Sequence, residues 1–146
     1  MKFTTTLLIL MFLIVTSKKV EATTDTWRAN DNGTVTDVAT AFEWQQEPHN
    51  IDLNHAQAIS YCQELSLAGK NDWRLPQIKE LTSIVDYRKF SRAQDRDFGV
   101  ASLNSYWSAT SQSNDSSKAW QVDFLLGQSN IPTNKTELAS VRCVRN

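Results

Sequence analysis

The chain has 146 residues, 15 Lys plus Arg against 16 Asp plus Glu, two Cys, five Trp and four Gly, which is the size of one domain. At 40% hydrophobic and 21% charged residues it carries too much apolar and aromatic material for a disordered chain. A formal net charge of -1 argues against a nucleic-acid binder, because such proteins draw most of their affinity from Lys and Arg facing phosphates.

Residues 1–22 read as a secretory signal peptide: Lys2, the apolar stretch Leu7 to Val15, then Val20-Glu21-Ala22 with cleavage expected after Ala22. Lys18 and Lys19 leave an uncleaved anchor as the alternative. The apolar core, however, is about half of the ~20 residues that span a bilayer. No Cys lies near the cleavage point, so lipoprotein processing is not expected. The predicted product, residues 23–146, is one exported domain, periplasmic, secreted or at the cell surface, with no stable membrane insertion. It keeps 12 basic and 15 acidic residues, a net charge of -3, which makes polyanions poor partners unless the bases cluster on one face.

Asp31-Asn32-Gly33 is a turn signal, and Thr34-Val-Thr-Asp37 with Phe42-Glu-Trp-Gln45 predict two short strands forming a hairpin. Over residues 52–67 the helical spacing of Ala58, Ile59, Cys62 and Leu65 puts Cys62 on a buried face, with Asp52 or Asn54 as cap and Gly69 at the end. After Trp73-Arg-Leu-Pro76 a second helix is predicted over 77–85, with Ile78, Leu81, Ile84 and Val85 inward. Residues 86–104 are polar and weakly patterned and read as a long surface loop. Tyr106 to Thr110 reads as a strand and Ser111 to Ser117 as a loop. Residues 119–126 read as a half-buried strand with Trp120, Val122, Phe124 and Leu126 on one face. The segment to Glu137 reads as loop or edge strand, and Ser140 to Arg145 as the closing strand. The expected class is α+β, two helices on a small twisted antiparallel sheet with a long loop region.

Cys62 and Cys143 are the only cysteines, and in an oxidising compartment they predict one disulfide. The alternative is a reactive Cys62 served by His49 or His55, with Cys143 left as a free thiol.

The strings Gly33 to Asp37, Phe42 to Gln45, Ala58 to Cys62, Trp73-Arg-Leu-Pro76 with Glu80-Leu81, Tyr106-Trp-Ser-Ala-Thr110 and Val141-Arg-Cys-Val-Arg145 resemble the Lcl C-terminal domain family. That family was long catalogued as a domain of unknown function and is named for a bacterial collagen-like adhesin. The resemblance covers Trp27 to Arg145. It implies a variant of the C-type-lectin-like fold, in which a disulfide joins the first helix to the last strand. The Arg-Leu-Pro step and the closing Arg-x-x-Arg strand are also similar to formylglycine-generating enzymes, but those hold copper with a further cysteine pair that this chain lacks, so the oxidase activity does not carry across. Two departures concern local geometry: Gln77 stands where a small hydroxyl commonly pairs with Glu80 in a capping box, and Ala41 replaces a common Gly.

No cofactor is expected. The Ca²⁺-binding tripeptides of sugar-binding lectins are absent, since Glu47-Pro48-His49 precedes the first helix and the relevant strand reads Trp120-Gln-Val-Asp123. Asn30-Asp31-Asn32-Gly33 resembles part of an EF-hand loop, yet Arg28 and Ala39 stand at ligand positions, so a hairpin turn is expected. Asp95 and Asp97 are balanced by Arg92 and Arg96 on a solvated loop. His49 and His55 have no third soft ligand for zinc, and His55 reads as a surface or capping residue. No Gly-x-Ser-x-Gly elbow marks a nucleophile.

Trp44, Trp73, Trp107 and Trp120 are expected in the core. Tyr87, Phe98 and Tyr106 flank the long loop and are candidates to stack on sugar faces, with Asn104, Asn114 and Asp115 as hydrogen-bonding neighbours. Arg88, Lys89, Arg92 and Arg96 would meet acidic glycans, or else form a solvated surface balanced by Asp86, Asp95 and Asp97. The expectation is a non-catalytic, Ca²⁺-independent binding or adhesion module for a surface glycan or extracellular protein. A structural role through subunit or homo-oligomer contacts, a trimer among them, is the alternative, and an enzyme of unknown type the third.

Overall fold

The computed structural model describes residues 26–49, 51–87, 98 and 105–146. Two helices and two antiparallel sheets make an α+β domain. In chain order the elements are β1 (Trp27–Ala29), β2 (Thr34–Asp37), β3 (Glu43–Gln45), α1 (His55–Glu64), α2 (Ile78–Ser83), β4 (Ser105–Gln112), β5 (Asp115–Asp123), β6 (Gln128–Asn134) and β7 (Val144–Arg145). One sheet has the order β1-β2-β3-β7 and the other β4-β5-β6.

The predicted first hairpin forms, with Val35 opposite Trp44, and β1 extends it by one strand. The turn between β1 and β2 uses up its own side chains. Asn32 Oδ1 accepts from the Thr34 backbone N–H and hydroxyl at 3.1 and 2.7 Å, while Asn30 Nδ2 donates to Thr34 and Thr36 Oγ1, both at 2.8 Å. Gly33 sits at φ +84°, and a Cβ there would approach Leu67 Cδ1 to 3.3 Å, so glycine serves both the left-handed turn and the close contact.

Asn54 caps α1: its Oδ1 accepts from Gln57 N–H at 3.0 Å, and Gln57 Oε1 accepts from Asn54 N–H at 3.1 Å, a reciprocal capping box. The second helix is shorter than the spacing predicts. Ile84 and Val85 lie past its end, yet both are buried. In its first turn Glu80 Oε2 accepts from Gln77 N–H at 2.7 Å. Ile78 N–H donates to Thr110 Oγ1 at 3.0 Å and Ala109 N–H to Pro76 O at 2.7 Å, which pins the start of α2 to β4.

The run Ser111 to Ser117 is mostly strand, not loop. Ser113 and Asn114 form a two-residue turn and the flanking residues continue β4 and β5. The edge strand β6 carries one extra residue between Ser129 and Ile131 relative to β5, a bulge. β5 is also more covered than a half-buried strand. Tyr106, Val122 and Phe124 belong to one core cluster and Trp107, Ala119 and Gln121 are buried on the opposite face, so both faces of the sheet are packed at its middle. Trp120 is only partly buried and Leu126 is 65% exposed.

The closing segment ties the parts together. Ala139 exchanges backbone hydrogen bonds with Leu53, Ser140 with Ser105 and Trp107, and Val144 with Arg74, while the Val141 and Cys143 carbonyls accept from His49 and Gln45. Residues 141–144 are buried without alternation because neighbours stand on every side. The predicted disulfide joins Cys62 of α1 to Cys143, Cα–Cα 5.5 Å, and both cysteines are fully buried.

Candidate functional site

The disulfide removes the reactive-cysteine alternative, since neither thiol is free. The two histidines do not converge either. His49 lies against the Tyr61 ring, centroids 4.1 Å apart. His55, expected at the surface, is buried: its ring meets Trp107 edge to face at 5.2 Å and Nε2 lies 3.0 Å from the Ser108 carbonyl. That carbonyl can only accept, so Nε2 carries the hydrogen. Burial holds the His55 pKa below the ordinary histidine value, Lys135 adds to the shift, and the Ser108 bond opposes it. Among the described residues no three His, Cys, Asp or Glu gather in a metal-binding group.

The expected aromatic rim divides. Tyr87 is 64% exposed, whereas Phe98 and Tyr106 are core residues, 3% and 0% exposed, so those two rings do not offer a free face. Phe98 meets Trp27 and Trp44 edge to face at 5.1 and 6.3 Å, and Tyr106 meets Phe124 at 5.0 Å. Asn114 and Asp115 are at the tip of the β4–β5 hairpin, the far end of β4 from Tyr106, a separation of roughly 20–25 Å. Asp115 is engaged there by Ser117 and Lys118, which hold its pKa below the usual carboxylate value. Arg88, Arg92, Arg96 and Asn104 lie outside the described residues, as do Lys89, Asp95 and Asp97.

Tyr87 borders a groove of roughly 350 Å³, within the size range of small-ligand sites. Its floor is Trp27, Ile84 and Val85; Thr26, Ser83 and Asp86 supply polar groups along it. The position follows from the fold. α2 ends at Ser83, Ile84 and Val85 beyond it turn into the core, and the chain emerges beside β1 with Tyr87 left outside.

Phe98, which meets Trp27 of the groove, also lies against a residue that periodicity did not single out. Arg142 is fully buried. Its Nη1 donates to the Gln45 carbonyl at 2.7 Å and to that of Gln46, and its guanidinium carbon lies 4.9 Å from the Phe98 ring centre and 5.9 Å from that of Tyr106. Among the described residues Nε and Nη2 reach no well-aligned hydrogen-bond acceptor. Burial lowers the Arg142 pKa from the ordinary arginine value, against the opposing influence of Tyr106 and Glu47. The other arginine of the closing strand, Arg145, is neutralised by Asp72 and Glu43.

Residues 33–145 match the family described as the Lcl C-terminal domain. No curated protein matches the sequence.

Proposed function

This chain belongs to the Lcl C-terminal domain family, and on that premise we propose that it is an exported, non-catalytic binding and adhesion module, a variant of the C-type-lectin-like fold, that attaches to a glycan independently of Ca²⁺. The observation that carries this reading is the groove beside Tyr87. An exposed phenol at the edge of an apolar floor, with hydroxyl and carboxyl groups along it, suits a sugar ring: the aromatic face covers its C–H surface and the polar groups take its hydroxyls. The helix-to-last-strand disulfide supports the lectin-like reading and an oxidising destination. Among the described residues no helix is long and apolar enough to cross a membrane.

Glycan-array binding by the wild type and by Tyr87→Ala, with and without a chelator, tests the proposal. Binding that survives chelation and is lost in Tyr87→Ala is the expected result. Loss on chelation would overturn Ca²⁺ independence. No glycan binding alongside a stable oligomer in light scattering would favour assembly with a second subunit instead.

A further inference from the structure

We propose that the outer edge of β1 is a docking site for an extended peptide of a partner protein, added as a further antiparallel strand with an acidic residue opposite Arg28. β1 is the end strand of its sheet. Its hydrogen bonds to β2 fall on alternate residues: Val38 N–H donates to Thr26 O at 2.9 Å and Asn30 N–H to Thr34 O at 3.0 Å, with Arg28 opposite Thr36 between them. Trp27 and Ala29 therefore turn their N–H and C=O groups outward, and no backbone hydrogen bond reaches them there from the described residues. An added strand supplies donors and acceptors at the spacing that such an edge presents.

Charge selects among strands. Arg28, Thr36, Glu43 and Arg145 stand opposite one another across the four strands and none of them is buried, whereas Val35, Trp44 and Val144 of the next row are buried. Glu43 and Arg145 form an ion pair. Arg28 ends the row exposed, with no carboxylate in salt-bridge range among the described residues. A residue added beyond Arg28 faces it in a non-hydrogen-bonded pair, where side chains come closest, and Asp or Glu there continues the alternation of sign along the row. A second copy of β1 added antiparallel about the same residue sets Arg28 against Arg28, a destabilising pair, so the occupant is a different chain. The residues on either side of the acid fall on the Trp27 face, toward Ile84 and Val85 of the groove, where β-branched apolar side chains fit. Nothing in this inference depends on a glycan at Tyr87.

The probes are the end-blocked peptide Thr-Val-Glu-Val-Thr, its counterpart with Lys in place of Glu, and a form of the first that is N-methylated at both Val. Each is titrated at millimolar concentration and low salt into the oxidised, ¹⁵N-labelled protein. The Glu peptide should protect the Trp27 and Ala29 amides from exchange and bind about fivefold or more tighter than the Lys peptide. Arg28→Glu, at an exposed position, should invert that preference, and N-methylation should abolish binding. Equal binding of the two charges, or binding that survives N-methylation, overturns the proposal, as does a protein that binds neither peptide. Trp27 and Ala29 amides that are protected without any peptide mean an edge already covered, by a second copy if light scattering finds a dimer, and overturn it as well.

Discussion

Around Trp107 the core is stapled and its indoles are partnered; around Trp44 it is neither. Trp107 Nε1 donates to the Leu53 carbonyl at 2.8 Å and Trp73 Nε1 to that of Leu67 at 3.4 Å, in the cluster that contains Cys62 and Cys143. Trp44 is equally buried, but among the described residues its Nε1 finds no acceptor, and it meets Phe98, over whose ring the buried Arg142 lies. Each indole removes roughly 150–250 Å² from water, worth about 4–6 kcal/mol at the upper limit. Apolar burial is therefore similar on the two sides, and the partnering of the indole N–H is what separates them, for Gln121 Nε2 beside Trp107 also lacks an acceptor among the described residues. The Trp44 side is also the one that carries the groove, since Trp27, Ile84 and Val85 belong to its cluster.

The largest expected effect tests the staple. Cys62 and Cys143 are 81 residues apart, and loop closure of that length is worth about 4.5 kcal/mol in the chain-entropy account, an upper figure. Urea denaturation with and without reductant, and of the Cys62→Ala/Cys143→Ala double variant, should show a loss of several kcal/mol. A loss under about 1 kcal/mol would mean that the covalent link is not what distinguishes the Trp107 side.

The second test compares the two indoles directly. Trp107→Phe and Trp44→Phe remove similar volume from fully buried sites, so their packing costs resemble each other. Only the first deletes a made hydrogen bond, and Leu53 O keeps a second donor in Ala139 N–H. Trp107→Phe should therefore be the more destabilising by about 1 kcal/mol in urea melts. Equal costs would break the comparison.

Features of the fold held by neighbours in sequence were readable in advance. Asn54 and Gln57 are one helical turn apart, and the cap they form is visible in the residue types; the same holds for Asn32-Gly33 and the first turn. Cys62 and Cys143 paired because there were two and the family resemblance placed them. Features made by distant neighbours were not readable. His55 looked exposed because the carbonyl it bonds belongs to Ser108, 53 positions away. Arg142, between the inward Val141 and Cys143, alternates to the outside in an isolated strand; it is buried because the chain there lies between sheets. Ser111 to Ser117 read as loop on composition, but pairing overrides weak propensity. Of the expected aromatic site Tyr87 keeps an exposed ring, since whether Phe98 or Tyr106 faces outward depends on where Trp27, Trp44 and Phe124 stand.

Backbone strain falls on both sides: Ala68, next to Leu67 on the Trp107 side, holds φ +55°, and a second strained alanine lies near Trp44. Ala41 holds φ +63° in the turn between β2 and β3, closed by Ala41 N–H to Asp37 O at 2.8 Å and Asp37 N–H to Phe42 O at 2.8 Å. A left-handed conformation costs an L residue about 1–2 kcal/mol, and glycine escapes that at some entropic cost. Ala41→Gly should therefore raise stability by about 0.5–1 kcal/mol in urea melts. A neutral or negative effect would show that the strain is relieved elsewhere in the turn.

The smallest expected effect lies on the Trp107 side, where His55 introduces a pH dependence. Its folded pKa is depressed by burial, so between that value and the ordinary ~6.5 the unfolded chain binds more protons than the folded one. Stability therefore rises with pH through this window and levels off above it. Acidification from about pH 7.5 to about 5.5 costs the wild type stability, whereas Asp72, Glu80 and Asp115, whose pKa values are lowered, release theirs only further into acid. His55→Gln keeps an amide donor for the Ser108 carbonyl but cannot titrate. Its stability should change less over the same interval, even if its value at pH 7.5 is lower. The slope, not the absolute stability, is the informative quantity: truncation or poor packing shifts both ends of the interval together, and only loss of a titrating group flattens it. A variant with the wild-type slope would locate the acid sensitivity elsewhere.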